Sequence, residues 1–216
     1  GIGSAIIVLV IGSLYGSIAG LFGGKTDNIM MRIVEIIYSV PDILIIILLQ
    51  IVIKEPLQKS FDSGSALGGL QKLGPGIVAI FIVYGLLYWV GMARIVRGQV
   101  LQLKQSEYIN AATALGANKK RLILKHLLPN CIGTLIITTA LQIPSAIFTE
   151  SFLSFLGLGV SVPMASLGSL ASEALNGVRS YPYRLLFPAV AISIIILAFN
   201  LFGDGLRDAL DPKMKR

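Results

Sequence analysis

One cysteine and one histidine in 216 residues rule out several chemistries together. Cys131 has no partner for a disulfide within one chain, and with His126 as the only imidazole there is no Cys/His spacing for a structural metal. Charge is scarce as well: 13% of the chain is charged and 55% is hydrophobic, with a mean hydropathy of +0.81. That leaves too little polar surface to wrap a soluble core of this size, so the solvent is expected to be lipid. The carboxylates are spread along the chain without the convergence a membrane enzyme needs, and no catalytic residue is assigned. There is no Gly-x-x-x-x-Gly-Lys-Ser/Thr loop to cradle phosphates. A net charge of +7 would suit nucleic acid, but the cations are scattered between apolar runs and lack the interleaved aromatics of a stacking platform. No period of 20 to 50 residues recurs to suggest a solenoid or an inverted-repeat carrier.

Long apolar runs are present. A transmembrane helix needs roughly 20 mainly apolar residues, and five stretches reach that length, near Ile2 to Phe22, Ile33 to Ile53, Gly76 to Val96, Cys131 to Leu153 and Leu185 to Phe202. The first has no basic leader and no small-residue cleavage site, so it is read as a span rather than a signal peptide. The expected fold is an all-α membrane protein, a polytopic bundle of five helices forming one domain over residues 1–216. Five spans place the termini on opposite sides, and the Lys/Arg tally over short loops decides which is which. With the N-terminus outside, the inner side holds Lys25, Arg32, Arg94, Arg97, Lys104, Lys119, Lys120, Arg121, Lys125, Arg207, Lys213, Lys215 and Arg216. The outer side holds only Lys54, Lys59, Lys72, Arg179 and Arg184. The C-terminus is therefore expected in the cytoplasm, with external loops over about 54–75 and 157–184.

The longest interior loop, about 97–130, concentrates the functional signals. Glu107 to Gly116 reads as a short helix stopped by glycine, and Asn118 can cap a second helix running to Pro129. Tyr108, Ala112 and Leu115 are expected on one face, beside a flat Ala111/Ala112 patch that a partner could approach closely. Lys119, Lys120 and Arg121 crowd the first turn of the second helix, where its dipole disfavours cations. Lipid headgroups and an acidic surface on a docking protein are both open as explanations.

Elsewhere the signals are thinner. Glu150 could line a path for a cationic substrate or sit at headgroup level, because an ionised group deep in lipid costs roughly 2.5 to 3.5 kcal/mol and must face protein or water. Asp42 and Gln50 are candidates for the same pathway, although Asp42 after Pro41 could also sit at the inner interface as a helix N-terminal charge. His126 is read as a buttress of the loop rather than a proton relay or ligand. Gly157, Gly159 and Pro163 break the pattern after the fourth span, and Ser161 to Tyr183 is expected to form short helices or a plain loop over the outer mouth. The Gly, Ser and Thr content of the spans suits close helix contacts and suggests a second subunit.

Asn110-Ala111-Ala112, then Gly116, then Leu128-Pro129 resembles the EAA-type signature of importer permeases in the ATP-binding-cassette superfamily. Gly23-Gly24-Lys25-Thr26-Asp27 with Met31-Arg32, Phe155-Leu156-Gly157-Leu158-Gly159, and Ala198 to Pro212 narrow the likeness to the second permease subunit of peptide and nickel importers. The likeness runs from the first span to the C-terminus. It departs where Asn110 stands in place of Glu, where Leu167 follows Ser166 in place of an aromatic, and where the family's additional N-terminal helix is absent, which suggests a truncated chain. The resemblance implies a bacterial inner-membrane protein that pairs with a second permease subunit, is worked by two cytosolic ATPase subunits that bind the ATP and magnesium, and receives substrate from an external binding protein. It further implies that the Glu107 to Gly116 helix, with His126 and Pro129 behind it, docks in a groove of an ATPase subunit. Oligopeptides are expected ahead of nickel as substrate, and a self-sufficient channel or secondary carrier is the alternative of another class.

Overall fold

A computed structural model of the chain describes residues 2–62, 73–160 and 164–210. Part of the expected loop at 54–75, Pro163 and the tail cations Lys213, Lys215 and Arg216 lie outside the described residues. Among the described residues all regular structure is helical. The bundle is built from α1 (Ile2–Phe22), α2 (Gly24–Tyr38), α3 (Asp42–Asp62), α4 (Gly74–Leu87) and α5 (Trp89–Leu103). A short-helix loop follows, made of α6 (Glu107–Ala114), α7 (Lys119–Arg121), a π-helical turn (Leu122–Leu127) and α8 (Leu128–Asn130). Then come α9 (Ile132–Phe155), α10 (Leu167–Ala174), one 3-10 turn (Leu175–Gly177) and α11 (Tyr183–Leu210).

Glycine spacing sets the tightest interface. Gly12, Gly16 and Gly20 fall one turn apart on a single face of α1, and that face lies against α5. A Cβ at Gly12 would stand 2.5 Å from the Met92 Cβ, one at Gly20 would stand 2.8 Å from the Val100 Cγ1, and one at Gly16 would overlap the Ala93 carbonyl oxygen. The two backbones approach this closely because nothing but hydrogen projects between them. The order of the contacts shows α1 running parallel to the α4–α5 pair, since Gly3 meets Phe81 and Gly20 meets Val100. Ser13 and Ser17 turn inward on α1, and Ser17 Oγ satisfies itself by donating to the Ser13 carbonyl at 2.6 Å. The glycine face of α1 is thus occupied by this chain's own α5.

The second expected span is not one helix. It is divided into α2 and α3, which meet at 83° across Ser39–Pro41. Pro41 has no N–H for the ladder and its ring disfavours helical backbone at Val40, so α2 ends before it. Among the described residues four helical stretches remain long and apolar enough to cross a membrane: Ile2–Phe22, Gly74–Leu103, Ile132–Phe155 and Tyr183–Leu210. The bent pair makes a fifth only if its two halves count together. The first span keeps its expected bounds, the fourth shifts by one residue at its start and two at its end, and the third and fifth run on past Val96 and Phe202 to Leu103 and Leu210.

Polar pairs fix the remaining helices. Arg97 Nε and Nη2 donate to the two Asp27 carboxylate oxygens at 2.6 and 2.5 Å, a bidentate clamp between α5 and the first turn of α2. Trp89 packs against Tyr15 with ring centres 4.4 Å apart and planes tilted by 54°, and Tyr15 donates its hydroxyl to the Met30 carbonyl at 2.9 Å. Gly203 in α11 packs where a Cβ would stand 2.6 Å from Leu141 Cδ2 in α9. Arg207 and Leu210 share a cleft with Gln99 and Asn130, so α11 ends at the same end of the bundle as the α6–α8 loop.

The candidate coupling loop

The loop is anchored before it is exposed. Ile109, Leu122, Ile123 and Leu127 belong to the same buried cluster as Val8, Tyr84, Met92, Val96 and Leu153 of the spans, and Ala112 and Ala117 pack against it. Ile109 is only 3% exposed. One face of α6 is therefore continuous with the transmembrane core, which fixes its orientation.

The opposite face is bare. Tyr108 is 41% and Leu115 89% exposed, and Ala111 between them is exposed too. Residues three and four apart share a helical face, so Tyr108, Ala111 and Leu115 form an outward apolar stripe, with Glu107 and Asn110 exposed beside it. This corrects the expected grouping of Tyr108, Ala112 and Leu115. Ile109 is the larger apolar side chain of the helix, and burying it turns Ala112, three residues on, toward the core.

The corner between the two short helices is a Schellman motif. Gly116 has φ +85°, Ala117 N–H donates to the Ala112 carbonyl at 3.0 Å, and Gly116 N–H donates to the Thr113 carbonyl at 3.0 Å. Both bonds satisfy carbonyls that the helix end would leave open. Two residues later Asn118 accepts from the Arg121 N–H at 2.8 Å and caps α7, as its position suggested. The helix then widens into the π turn before Pro129, which cannot donate to the fourth carbonyl back and forces the ladder to adjust. His126 lies half-buried in that turn, and its carbonyl accepts from Asn130 Nδ2 at 2.5 Å. Among the described residues no three His, Cys, Asp or Glu side chains gather to hold a metal.

The cations of the loop have partners in α1. Lys104 Nζ donates to the Gly20 and Leu21 carbonyls at 3.3 Å each, which places a positive charge on the C-terminus of α1. Lys119 sits 4.7 Å from the centre of the Phe22 ring. Sequence reasoning could not find these contacts because they join positions about 80 to 100 residues apart. Lys120 and Arg121 are exposed.

The three pathway candidates do not converge. Gln50 is 0% exposed, and its Nε2 donates to the Gly76 carbonyl at 3.2 Å and the Leu158 carbonyl at 2.9 Å. It ties α3 to the start of α4 and to the turn after α9, and so it faces protein rather than a pathway in this structure. Glu150 is half-buried and accepts from Ser154 Oγ at 2.7 Å one turn along its own helix. Asp42 is exposed at the start of α3.

These features define a class: a polytopic helical membrane protein that carries, at one end of its bundle, a rigid two-helix elbow with one bare apolar face. The chain belongs to the family of binding-protein-dependent transport system inner membrane components, which residues 12–216 match. It is 47% identical over 216 residues to the oligopeptide transport system permease protein OppC of Bacillus subtilis (strain 168), a match covering 100% of this chain and 64% of that protein. It is 46% identical over 217 residues to the dipeptide transport system permease protein DppC of the same organism, covering 100% of this chain and 62% of that protein. It is also 35% identical over 215 residues to the glutathione transport system permease protein GsiD of Pectobacterium atrosepticum, covering 100% of this chain and 65% of that protein. The chain thus spans just under two thirds of the length of these relatives.

Proposed function

We propose that this chain is a transmembrane permease subunit of an ATP-driven importer, not an enzyme, and that with a second permease subunit it forms the pathway for oligopeptides delivered by an external binding protein. Two cytosolic ATPase subunits would bind the ATP and magnesium and do the hydrolysis. The observation that carries the reading is the α6 elbow: its outer stripe of Tyr108, Ala111 and Leu115 is bare, while its inner residue Ile109 is locked into the membrane core. A partner pressing on that stripe moves the bundle, because the helix cannot roll without unpacking Ile109. Glu107, Tyr108, Asn110, Ala111 and Leu115 are assigned to the contact. Ala112, Gly116, His126 and Pro129 are assigned to the shape of the elbow. The relatives named for oligopeptide, dipeptide and glutathione transport support a peptide cargo ahead of nickel.

The test is Leu115→Asp in the assembled transporter, where an unpaired charge replaces the most exposed apolar side chain of the elbow. The variant is expected to insert normally, to lose at least fivefold in ATPase co-purification and to lose peptide uptake in proportion, whereas His126→Ala stays within twofold. Wild-type ATPase retention and uptake by Leu115→Asp would overturn the assignment.

The loop cations, including Lys104, Lys119, Lys120, Arg121, Lys125 and Arg207, support a cytoplasmic side for the elbow and the C-terminus. Cysteine at Arg179 is expected to label from outside intact cells, and cysteine at Lys120 only after permeabilisation. Both measurements use a Cys131→Ser background, although Cys131 is itself buried. Reversed labelling would invert the orientation.

A further inference from the structure

The break between α2 and α3 brings a carboxylate to an unusual depth. Asp42 opens α3 and lines two adjoining clefts, of about 500 Å³ and about 370 Å³. Tyr88 and Gln142 share the first, and Tyr88, Ser145, Thr149 and Asn200 share the second. Tyr88 is the midpoint of the Gly74–Leu103 stretch, and Gln142 and Ser145 flank the midpoint of α9. A side chain bordering the middles of two spans lies near half-depth in the bilayer, not at the inner interface where the sequence alone could also have put it. An ionised carboxylate there is costly and is kept only where it meets protein, water or a cationic partner.

Among the described residues one buried acceptor in this place lacks a donor, and the exposed Asp42 carboxylate beside it carries no ion pair. Among the described residues no cation or hydrogen-bond donor reaches the Asp42 carboxylate. Gln142 Nε2 donates to the Tyr88 carbonyl at 3.3 Å, but its Oε1 is enclosed and finds no partner among the described residues. A buried acceptor without a donor is uncommon in a folded protein; Gln50 Oε1 is another, but only the Gln142 side chain lines a cleft together with Asp42. On the peptide-import reading, we propose that Asp42 and Gln142 form a midplane site for the primary ammonium group of a peptide in transit. A primary ammonium brings several N–H donors and one positive charge, which matches one carboxylate and one amide oxygen, with the Tyr88 hydroxyl, 3.3 Å from Thr149 Oγ1, beside them. A transition-metal cation is a poorer match, because neither cleft offers an imidazole or a thiolate.

The experiment uses the whole transporter in nanodiscs without its binding protein, carrying Ser145→Cys as a reporter in a Cys131→Ser background. Ser145 is exposed in the second cleft. Trialanine is expected to slow maleimide modification of the reporter at least threefold, whereas N-acetyl-trialanine leaves it unchanged. Asp42→Asn should abolish the difference between the two peptides and Asp42→Glu should keep it, a pattern that a merely structural carboxylate would not produce. Equal protection by the two peptides in the otherwise native complex, or discrimination that survives Asp42→Asn, overturns the site. Uptake of trialanine by the wild-type complex with its binding protein judges the import reading separately. Uptake together with equal protection sinks the ammonium site alone, and absence of uptake sinks both.

Discussion

Gly16→Leu is expected to reduce the amount of folded chain in the membrane to below a tenth of the wild-type level. Gly16 is the centre of the Gly12, Gly16, Gly20 face on which α1 meets α5, and its missing Cβ would overlap the Ala93 carbonyl oxygen. Backbone cannot rotate aside as the end of a side chain can, so the helices must separate along their length. Overpacking a tight core already costs about 1 to 3 kcal/mol where side chains can give way, and here the separation would also open the buried Ser13 and Ser17 to a mismatched environment. Gly98→Leu on α5 is the matched control, because a Cβ at Gly98 meets nothing within 4 Å and the residue is exposed. It should accumulate normally and gain a little helix propensity. The measurement is the level of tagged chain in the membrane fraction together with its thermal unfolding in detergent, with Gly16→Ala expected between the two. Normal accumulation of Gly16→Leu would show that α1 and α5 do not pack this way.

The membrane fold was legible because the spans announce themselves by length and composition, and α1 keeps the bounds read from its apolar run. The break at Ser39–Pro41 was missed although Pro41 is a plain signal, because hydropathy stays high across it and a running average cannot register a bend. The corner of the loop was legible down to single residues: Gly116 at positive φ and Asn118 as a cap both follow from local chemistry. Which face of α6 looks outward was not. The short helix carries apolar residues nearly all round, and only the position of the distant Val8, Met92 and Leu153 cluster decides that Ile109 turns in and Leu115 turns out. The Gly, Ser and Thr content of the spans told of close contacts but not between which helices, and Gln50 could not be placed without the carbonyls of Gly76 and Leu158. Each miss concerns a pairing between positions far apart in the chain.

That geometry also separates two substitutions which sequence alone would treat alike. Ala112→Asp places a carboxylate against the core side of α6 and is expected to damage folding, because Ala112 packs on the buried cluster and its carbonyl accepts the closing bond of the Schellman motif. Gly116→Val acts differently. No atom lies within 4 Å of a Cβ at Gly116, so valine meets no neighbour and the whole cost is backbone strain. A left-handed conformation costs a non-glycine residue roughly 1 to 2 kcal/mol, and β-branching raises that. The bonds from Gly116 and Ala117 back to Thr113 and Ala112 are what that conformation permits, so relaxing the strain to negative φ breaks both and lets α6 swing on Ile109. The transmembrane helices are not part of that motif. Gly116→Val is therefore expected to insert at wild-type level and to keep its thermal stability within a few degrees, while, on the proposed import function, peptide uptake by the assembled transporter falls at least tenfold. Gly116→Asn, which tolerates positive φ, should keep most of the uptake. Membrane level, ATPase co-purification and uptake measured on the same preparations decide the matter. Full uptake by Gly116→Val would mean that the shape of this corner does not carry the coupling, and equal loss in Gly116→Asn would mean that the absence of a side chain, rather than the φ angle, is what the partner requires.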